Sequence, residues 1–295
     1  MAVTAAQVKE LRERTGAGMM ECKKALEATA GDMARAIEEL RKSGRAKADK
    51  KASRVAAEGV VLLKTTSDGR HAIMVEINSE TDFVARDENF LAFADAVAKT
   101  ALQANVKDVA ALGGLPLLDH ANTTIDEARQ ALIAKVGENI HIRRVANLQS
   151  TIATIGTYSH GGRIGVLVEL DSDHPALAKD IAMHIAASQP LVVAQDDVPV
   201  DVIAKEKEIY RAQAETSGKP EAILEKMVAG KIKKFMDEIS LLGQPFVKDP
   251  DTLVSALLNK HHVKVVRFVR FAVGEGIEKE TENFVEAVMA QVHGS

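Results

Sequence analysis

Val60-Val61-Leu62-Leu63-Lys64-Thr65-Thr66-Ser67-Asp68-Gly69-Arg70-His71-Ala72-Ile73-Met74-Val75-Glu76-Ile77 sets two largely apolar runs either side of a four-residue polar break. Asp-Gly between such runs signals a hairpin: glycine takes positive φ without steric cost, and aspartate bonds its own backbone. The pattern predicts strands over 60–66 and 71–77. Downstream, Phe90, Phe93, Ala94, Val97, Ala98 and Ala101 share one helical face, which predicts a helix laid across the hairpin. Hairpin then helix is the unit from which the rest is read.

The unit recurs. Residues 152–158 lead through Ser159-His160-Gly161-Gly162-Arg163 into 164–170 and then an amphipathic run at 177–187. In register, Gly69-Arg70 falls on Gly162-Arg163 and Met74-Val75-Glu76 on Leu167-Val168-Glu169, which reads as a duplication. Between the copies, Thr124-Ile125-Asp126-Glu127 has the form of a capping box, Gly137 closes that helix, and Ile140, Ile142 and Val145 suggest a strand. A helix at 253–258 and an alternating run at 263–273 complete the second copy. Each half is thus a small antiparallel sheet covered by helices, an α+β architecture.

Interrupting the second copy are two amphipathic segments, 202–216 and 220–235, joined by Ser217-Gly218-Lys219. They predict a protruding helical hairpin whose Ile203, Ile209, Ile223 and Met227 bury against each other or against a partner. A last helical run, 282–292, follows Gly274 and Gly276; packing on the core and gripping another molecule both fit it. At the other end, Thr4-Ala5-Ala6-Gln7 is a capping box, and helices are predicted to Arg14, over 19–29, and from Asp32 to Lys42 with Gly44 beyond its end. Val8, Leu11, Met20, Leu26, Ile37 and Leu40 at helical spacing make these a three-helix bundle. Met19 and Met20, beside a glycine-rich bend, suit either an adaptable binding surface or the bundle's own core. The Lys- and Ala-rich residues 45–54 read as a linker. The expected division is 1–44 helical module, 45–58 basic linker, 59–147 first core half, 148–275 second half with its insertion at 198–236, and 276–295 C-terminal helical module.

Where the first hairpin gives way to its helix lies Asn78-Ser79-Glu80-Thr81-Asp82-Phe83-Val84-Ala85-Arg86. Locally, Thr or Asp here fits an N-cap and Phe83 a staple folded onto the first turn. The second copy has Asp171-Ser172-Asp173-His174-Pro175 at this junction, with no aromatic, so the unit does not need one. That favours an outward role for Asp82 and Phe83.

Charge and composition exclude several classes. Charged residues are 27% of the chain and the formal net charge is -4, so nothing marks nucleic acid as the main partner. Aromatics total 3% with no Trp, low for a protein that stacks bases. Cys22 is the single cysteine, which rules out an internal disulfide and a cysteine-based zinc site. No signal peptide and no membrane-length apolar run is read, so a cytoplasmic protein is expected. No nucleophile elbow, zinc-binding helix or phosphate loop occurs, and Gly16-Ala17-Gly18 lacks the strand and lysine a phosphate loop needs. Adjacent His261 and His262 suit no shared metal, and the repeat-related Glu76 and Glu169 read as structural. His160, on the second hairpin tip, is placed for contact. Neither a catalytic site nor a metal or cofactor site is expected.

The block Leu11-Arg12-Glu13-Arg14-Thr15-Gly16-Ala17-Gly18-Met19-Met20-Glu21-Cys22-Lys23-Lys24-Ala25-Leu26 together with Thr81-Asp82-Phe83-Val84 closely resembles the translation elongation factor Ts family. So do Gly137-Glu138-Asn139-Ile140, His184-Ile185-Ala186-Ala187-Ser188, Gly243-Gln244-Pro245-Phe246-Val247 and Gly274-Glu275-Gly276-Ile277. The resemblance implies a non-enzymatic guanine-nucleotide exchange factor for elongation factor Tu, with a ubiquitin-associated-like N-module and a helical hairpin that forms homodimers or heterotetramers in some members. It places Thr81, Asp82, Phe83 and Val84 in the segment that dislodges Mg²⁺ from the GTPase. Arg12, Met19, Met20 and His160 match partner-facing positions, and the C-terminal helix matches another. Ser79-Glu80 and Asp87 depart from the residues common in relatives, Cys-Gln and Asn. An RNA- or ribosome-binding accessory protein, acting through residues 45–54 and Lys264, Arg267 and Arg270, is the competing expectation.

Overall fold

The computed structural model describes residues 3–118, 120–216 and 220–278. The helical run expected at 282–292 and the turn at 217–219 lie outside the described residues.

Helix α1 (Ala5–Thr15) starts on the Thr4–Gln7 capping box and stops where Gly16 turns left-handed at φ 67. Helices α2 (Met19–Ala28) and α3 (Met33–Lys51) complete a bundle around Val8, Leu11, Cys22, Leu26 and Ala36. Met20 is not part of that core; it is 63% exposed, and the buried Cys22 fills the interior instead. Helix α3 also runs nine residues past Lys42, its expected end, to Lys51. Gly44 does not break it, because packing outweighs a glycine's helix penalty. At Gly44, α3 lies against a later helix, where an added Cβ would meet the Gln130 carbonyl oxygen at 3.7 Å and Ala134 Cβ at 3.9 Å, both ordinary contacts. Ala48, one turn on, is buried in the core of the first half. Residues 45–51 are therefore a docked helix, with Lys47 bonded to Glu21 and Lys51 to the Gly137 carbonyl.

In the first half, strands β1 (Glu58–Thr65) and β2 (His71–Ser79) pair antiparallel with Leu62 opposite Val75. There follow the one-turn helix α4 (Asp82–Ala85), α5 (Glu88–Gln103), a small hairpin of β3 (Pro116–Leu117) and β4 (His120–Thr124), α6 (Ile125–Val136) and β5 (Ile140–Gln149). The second half repeats the plan with β6 (Gly156–His160), β7 (Ile164–Leu170), α7 (Pro175–Ser188), the helical hairpin α8 (Val200–Glu215) and α9 (Glu221–Ile239), the small hairpin of β8 (Pro245–Phe246) and β9 (Asp249–Leu253), α10 (Val254–Lys260) and β10 (Val265–Ala272). Sheet orders are β1-β2-β5 and β10-β7-β6, the same topology with the second strand central. The first copy carries α4 between its second strand and long helix, where the second copy runs directly from Ser172 into α7. Strand β6 begins at Gly156 instead of Ile152, because the Ser150 hydroxyl accepts the Ile152 and Ala153 amides and turns the chain there.

Hydrogen bonds keep the memory of the duplication. The Arg70 carbonyl accepts the amide of Ser150, just past β5, and the Arg163 carbonyl accepts that of Val273, just past β10. Glu76 on β2 sits opposite Arg144 on β5, Glu169 on β7 opposite Arg267 on β10, and each cross-strand pair is ion-paired beside a register shift.

Alternation along the strands sets the layers. One face of the first sheet, with Ile73, Val75, Ile77 and Ile142, packs under Phe90, Phe93, Val97 and Ile133 of α5 and α6. Val166, Val168 and Leu170 pack likewise under α7 and α10. The opposite faces meet each other through Val61, Met74, Leu148, Leu167 and Phe271, so the core is helix, sheet, sheet, helix. Gly165 lies in that seam, where an added Cβ would sit 2.5 Å from Val61 Cγ1 and 2.6 Å from Met74 Sδ. The helical hairpin buries Ala214, Leu224 and Val228, whereas Ile209 and Ile223, expected in its stripe, are exposed.

Candidate partner-binding site

Thr81 starts α4 in extended conformation, φ -119 and ψ 159, and its hydroxyl accepts the Val84 amide at 3.3 Å. The N-cap reading of Thr81 thus holds. The staple reading of Phe83 does not: the ring is 83% exposed, the most exposed large apolar side chain among the described residues. Val84 packs inward against the first-half core and Ala85 is buried, so the turn is seated by one side and displays Phe83 from the other. Asp82 pairs with Arg86 at 3.0 Å on the solvent face. So exposed a pair holds little energy and leaves the carboxylate free to change partners.

A single helical turn cannot hold itself in water, since nucleation fixes several residues for one hydrogen bond. Its rigidity comes from neighbours. Asn78 and Ser79 end β2 and are paired between Gly59 and Glu58 of β1 and His141 and Ile140 of β5. The Ser79 hydroxyl donates to the Thr81 carbonyl at 2.9 Å. Across the gap, the Glu138 carboxylate accepts both the Thr81 amide, 3.0 Å, and the Thr81 hydroxyl, 2.6 Å. Glu80 reaches back to accept the Asn139 amide at 2.6 Å. Asp87, the departure noted above, caps α5 by accepting the Asn89 and Phe90 amides at 2.9 and 3.2 Å, and its carboxyl is held below the ordinary aspartate range first by the Asn89 side chain.

Glu80, Glu138 and Asn139 were not singled out as site residues by sequence reasoning. The Glu138 bonds span 57 positions and leave no local pattern; only the run Gly137-Glu138-Asn139-Ile140 hinted at them.

The other sequence-marked residues stand on separate elements. Arg12 is exposed on α1, and Met19 and Met20 open α2 at 58% and 63% exposure. Adjacent exposed thioethers make a compliant apolar surface. His160 ends β6, exposed, with its Nδ1 3.2 Å from the Tyr158 hydroxyl. Among the described residues no group of three or more His, Cys, Asp or Glu is placed to hold a metal ion, and no helix is long and apolar enough to cross a membrane.

A doubled scaffold thus seats one turn firmly and points its aromatic at solvent, an arrangement suited to contact with another macromolecule. A family model described as elongation factor TS matches residues 80–275. The chain is 58% identical over 290 residues to elongation factor Ts of Legionella pneumophila (strain Paris), covering 98% of each chain. It is 57% identical over 295 residues to that of Methylococcus capsulatus, covering 100% of both, and 54% identical over 293 residues to that of Coxiella burnetii, covering 99% of each. The chain belongs to the elongation factor Ts family, and membership implies a nucleotide-exchange factor for elongation factor Tu in translation elongation.

Proposed function

We propose that the chain promotes GDP release from elongation factor Tu by pressing Phe83 and Asp82 against the elements that support the GTPase's Mg²⁺ and phosphates. The observation that carries this is the 83% exposure of Phe83 on a turn that Thr81 caps and Val84 seats. Mg²⁺ demands near-ideal octahedral oxygen geometry, so a small displacement of its supports weakens the nucleotide disproportionately. Phe83 acts as a wedge; Asp82 exchanges its weak pair with Arg86 for polar contacts near the metal. Arg12, Met19, Met20 and His160 supply further contact area, and no covalent step or cofactor is involved.

Linkage requires that whatever factor this binding takes from GDP affinity, GDP takes from this binding. Each tenfold is about 1.4 kcal/mol, drawn from contacts made preferentially to the nucleotide-free form. Such an interface spans the helical module, residues 1–44, and both core halves, residues 59–147 and 148–275, in the cytoplasm.

The test is release of labelled GDP from Tu under catalytic amounts of the chain in magnesium buffer. Phe83→Ala slows release with thermal stability unchanged; undiminished release by that variant removes the wedge. The helical hairpin is proposed as a self-association surface through its exposed Ile209 and Ile223. Sedimentation showing the same mass for the parent and an Ile209→Lys, Ile223→Lys variant would remove that part. For the RNA reading, Lys51 is tied to the Gly137 carbonyl and Arg270, 9% exposed, to Glu275, so two of the cations it would use are engaged within the chain.

A further inference from the structure

The turn Gly137-Glu138-Asn139, between α6 and β5, touches both the Phe83 turn and the end of α3. On one side Glu138 takes both donors of Thr81, and the Asn139 amide donates to Glu80. On the other side the Asn139 side-chain amide donates to the Arg54 carbonyl at 2.8 Å and the Ala52 carbonyl at 3.4 Å, while Lys51 bonds the Gly137 carbonyl. Those residues finish α3, whose other end builds the N-terminal bundle. Arg54 closes the circuit with Glu80 at 3.5 Å.

We infer that Glu138 is a positioning residue for exchange: by fixing Thr81 it presents Phe83 in one orientation, on a turn that is itself tied to the helix carrying the N-terminal module. This deepens the proposed function and rests on it.

The chemistry is specific. Thr81 has one hydroxyl hydrogen and donates it in a hydrogen bond to Glu138, so the hydroxyl's lone pairs are left for the Val84 amide. A hydroxyl donating to a carboxylate is polarised into a better acceptor, which strengthens the cap. Remove the carboxylate and the hydroxyl can rotate, the Thr81 amide loses its acceptor, and α4 is left as a lone turn that frays. Phe83 is still there but sampled over many orientations. A wedge that must be ordered on contact pays that entropy in the exchange step, whereas docking through the bundle is untouched.

The experiment mixes Tu bound to fluorescent GDP with excess chain and reads the release rate against chain concentration, giving a maximum rate and a half-saturation concentration. Glu138→Ala is expected to lower the maximum about tenfold, from the loss of two charge-assisted hydrogen bonds, and to move half-saturation less than about threefold. Glu138→Gln, which keeps the volume and one acceptor oxygen, is expected between the two and serves if the alanine variant folds poorly. Because the effect runs through the finger, Glu138→Ala combined with Phe83→Ala is expected to match Phe83→Ala alone, a non-additivity that general loss of structure would not produce. A Phe83→Ala defect accompanied by parental release from both Glu138 variants, or by fully additive losses, overturns the brace alone. Parental release by Phe83→Ala sinks the finger reading and this inference with it.

Discussion

Glu76 is fully buried, and burial by itself raises a carboxyl's pKa. The Gly274 amide at 2.8 Å, Arg144, and the Asn78 side chain at 3.1 Å outweigh that, so its pKa lies below the ordinary 4.5. Since the folded value is the lower one, Glu76 stabilises the fold fully above pH 4.5, and the contribution is lost as pH falls through the folded value. Glu76→Ala removes the buried carboxylate that Arg143 and Arg144 share and is expected to cost about 3 kcal/mol at neutral pH in urea denaturation, with the gap to the parent narrowing in acid. An equal gap at neutral and acid pH would contradict the assignment. Sequence alone marked Glu76 as structural through its repeat partner Glu169, but not its ligands: Gly274 lies 198 positions away, and only the folded sheet brings it near. Phe83 was legible in the opposite sense. Its counterpart is missing from the second copy, and the structure leaves the ring in solvent.

Caps and turns were the elements best read from sequence. The boxes at Thr4 and Thr124 and the glycine stops at Gly16 and Gly137 form as their chemistry dictates. Helix α3 is the exception. Gly44 is a stop by propensity, yet the helix continues because the packing of α3 on α6 and of Ala48 in the first-half core outweighs one glycine's penalty, and only tertiary structure reveals that. A methyl group at Gly44 meets neighbours no nearer than 3.7 Å, an ordinary contact that needs no rearrangement. Gly44→Ala is therefore expected to raise stability by about 0.5–1 kcal/mol through helix propensity, read as a higher Tm. A lower Tm would show the α3–α6 contact to be tighter than it stands. The paired mini-hairpins β3–β4 and β8–β9 went unread, since strands of two to five residues carry too little alternation to register.

At the scale of the whole molecule, two copies of one unit have diverged in what they carry. Their sheets meet back to back and stiffen each other, and the first copy alone inserts α4, the short turn that carries Phe83. The second copy instead accommodates the helical hairpin between its long helix and its mini-hairpin. Stiffness bears on the proposed wedge, which transmits force only if its mount does not yield. The central claim is that Phe83 acts on the support of the GTPase's magnesium. The most direct measurement is GDP release from Tu at saturating chain, parent against Phe83→Ala, with magnesium present and again after chelation with EDTA. A deficit for Phe83→Ala that is present with magnesium and vanishes without it is the predicted result. A deficit of the same size in both conditions would contradict the account.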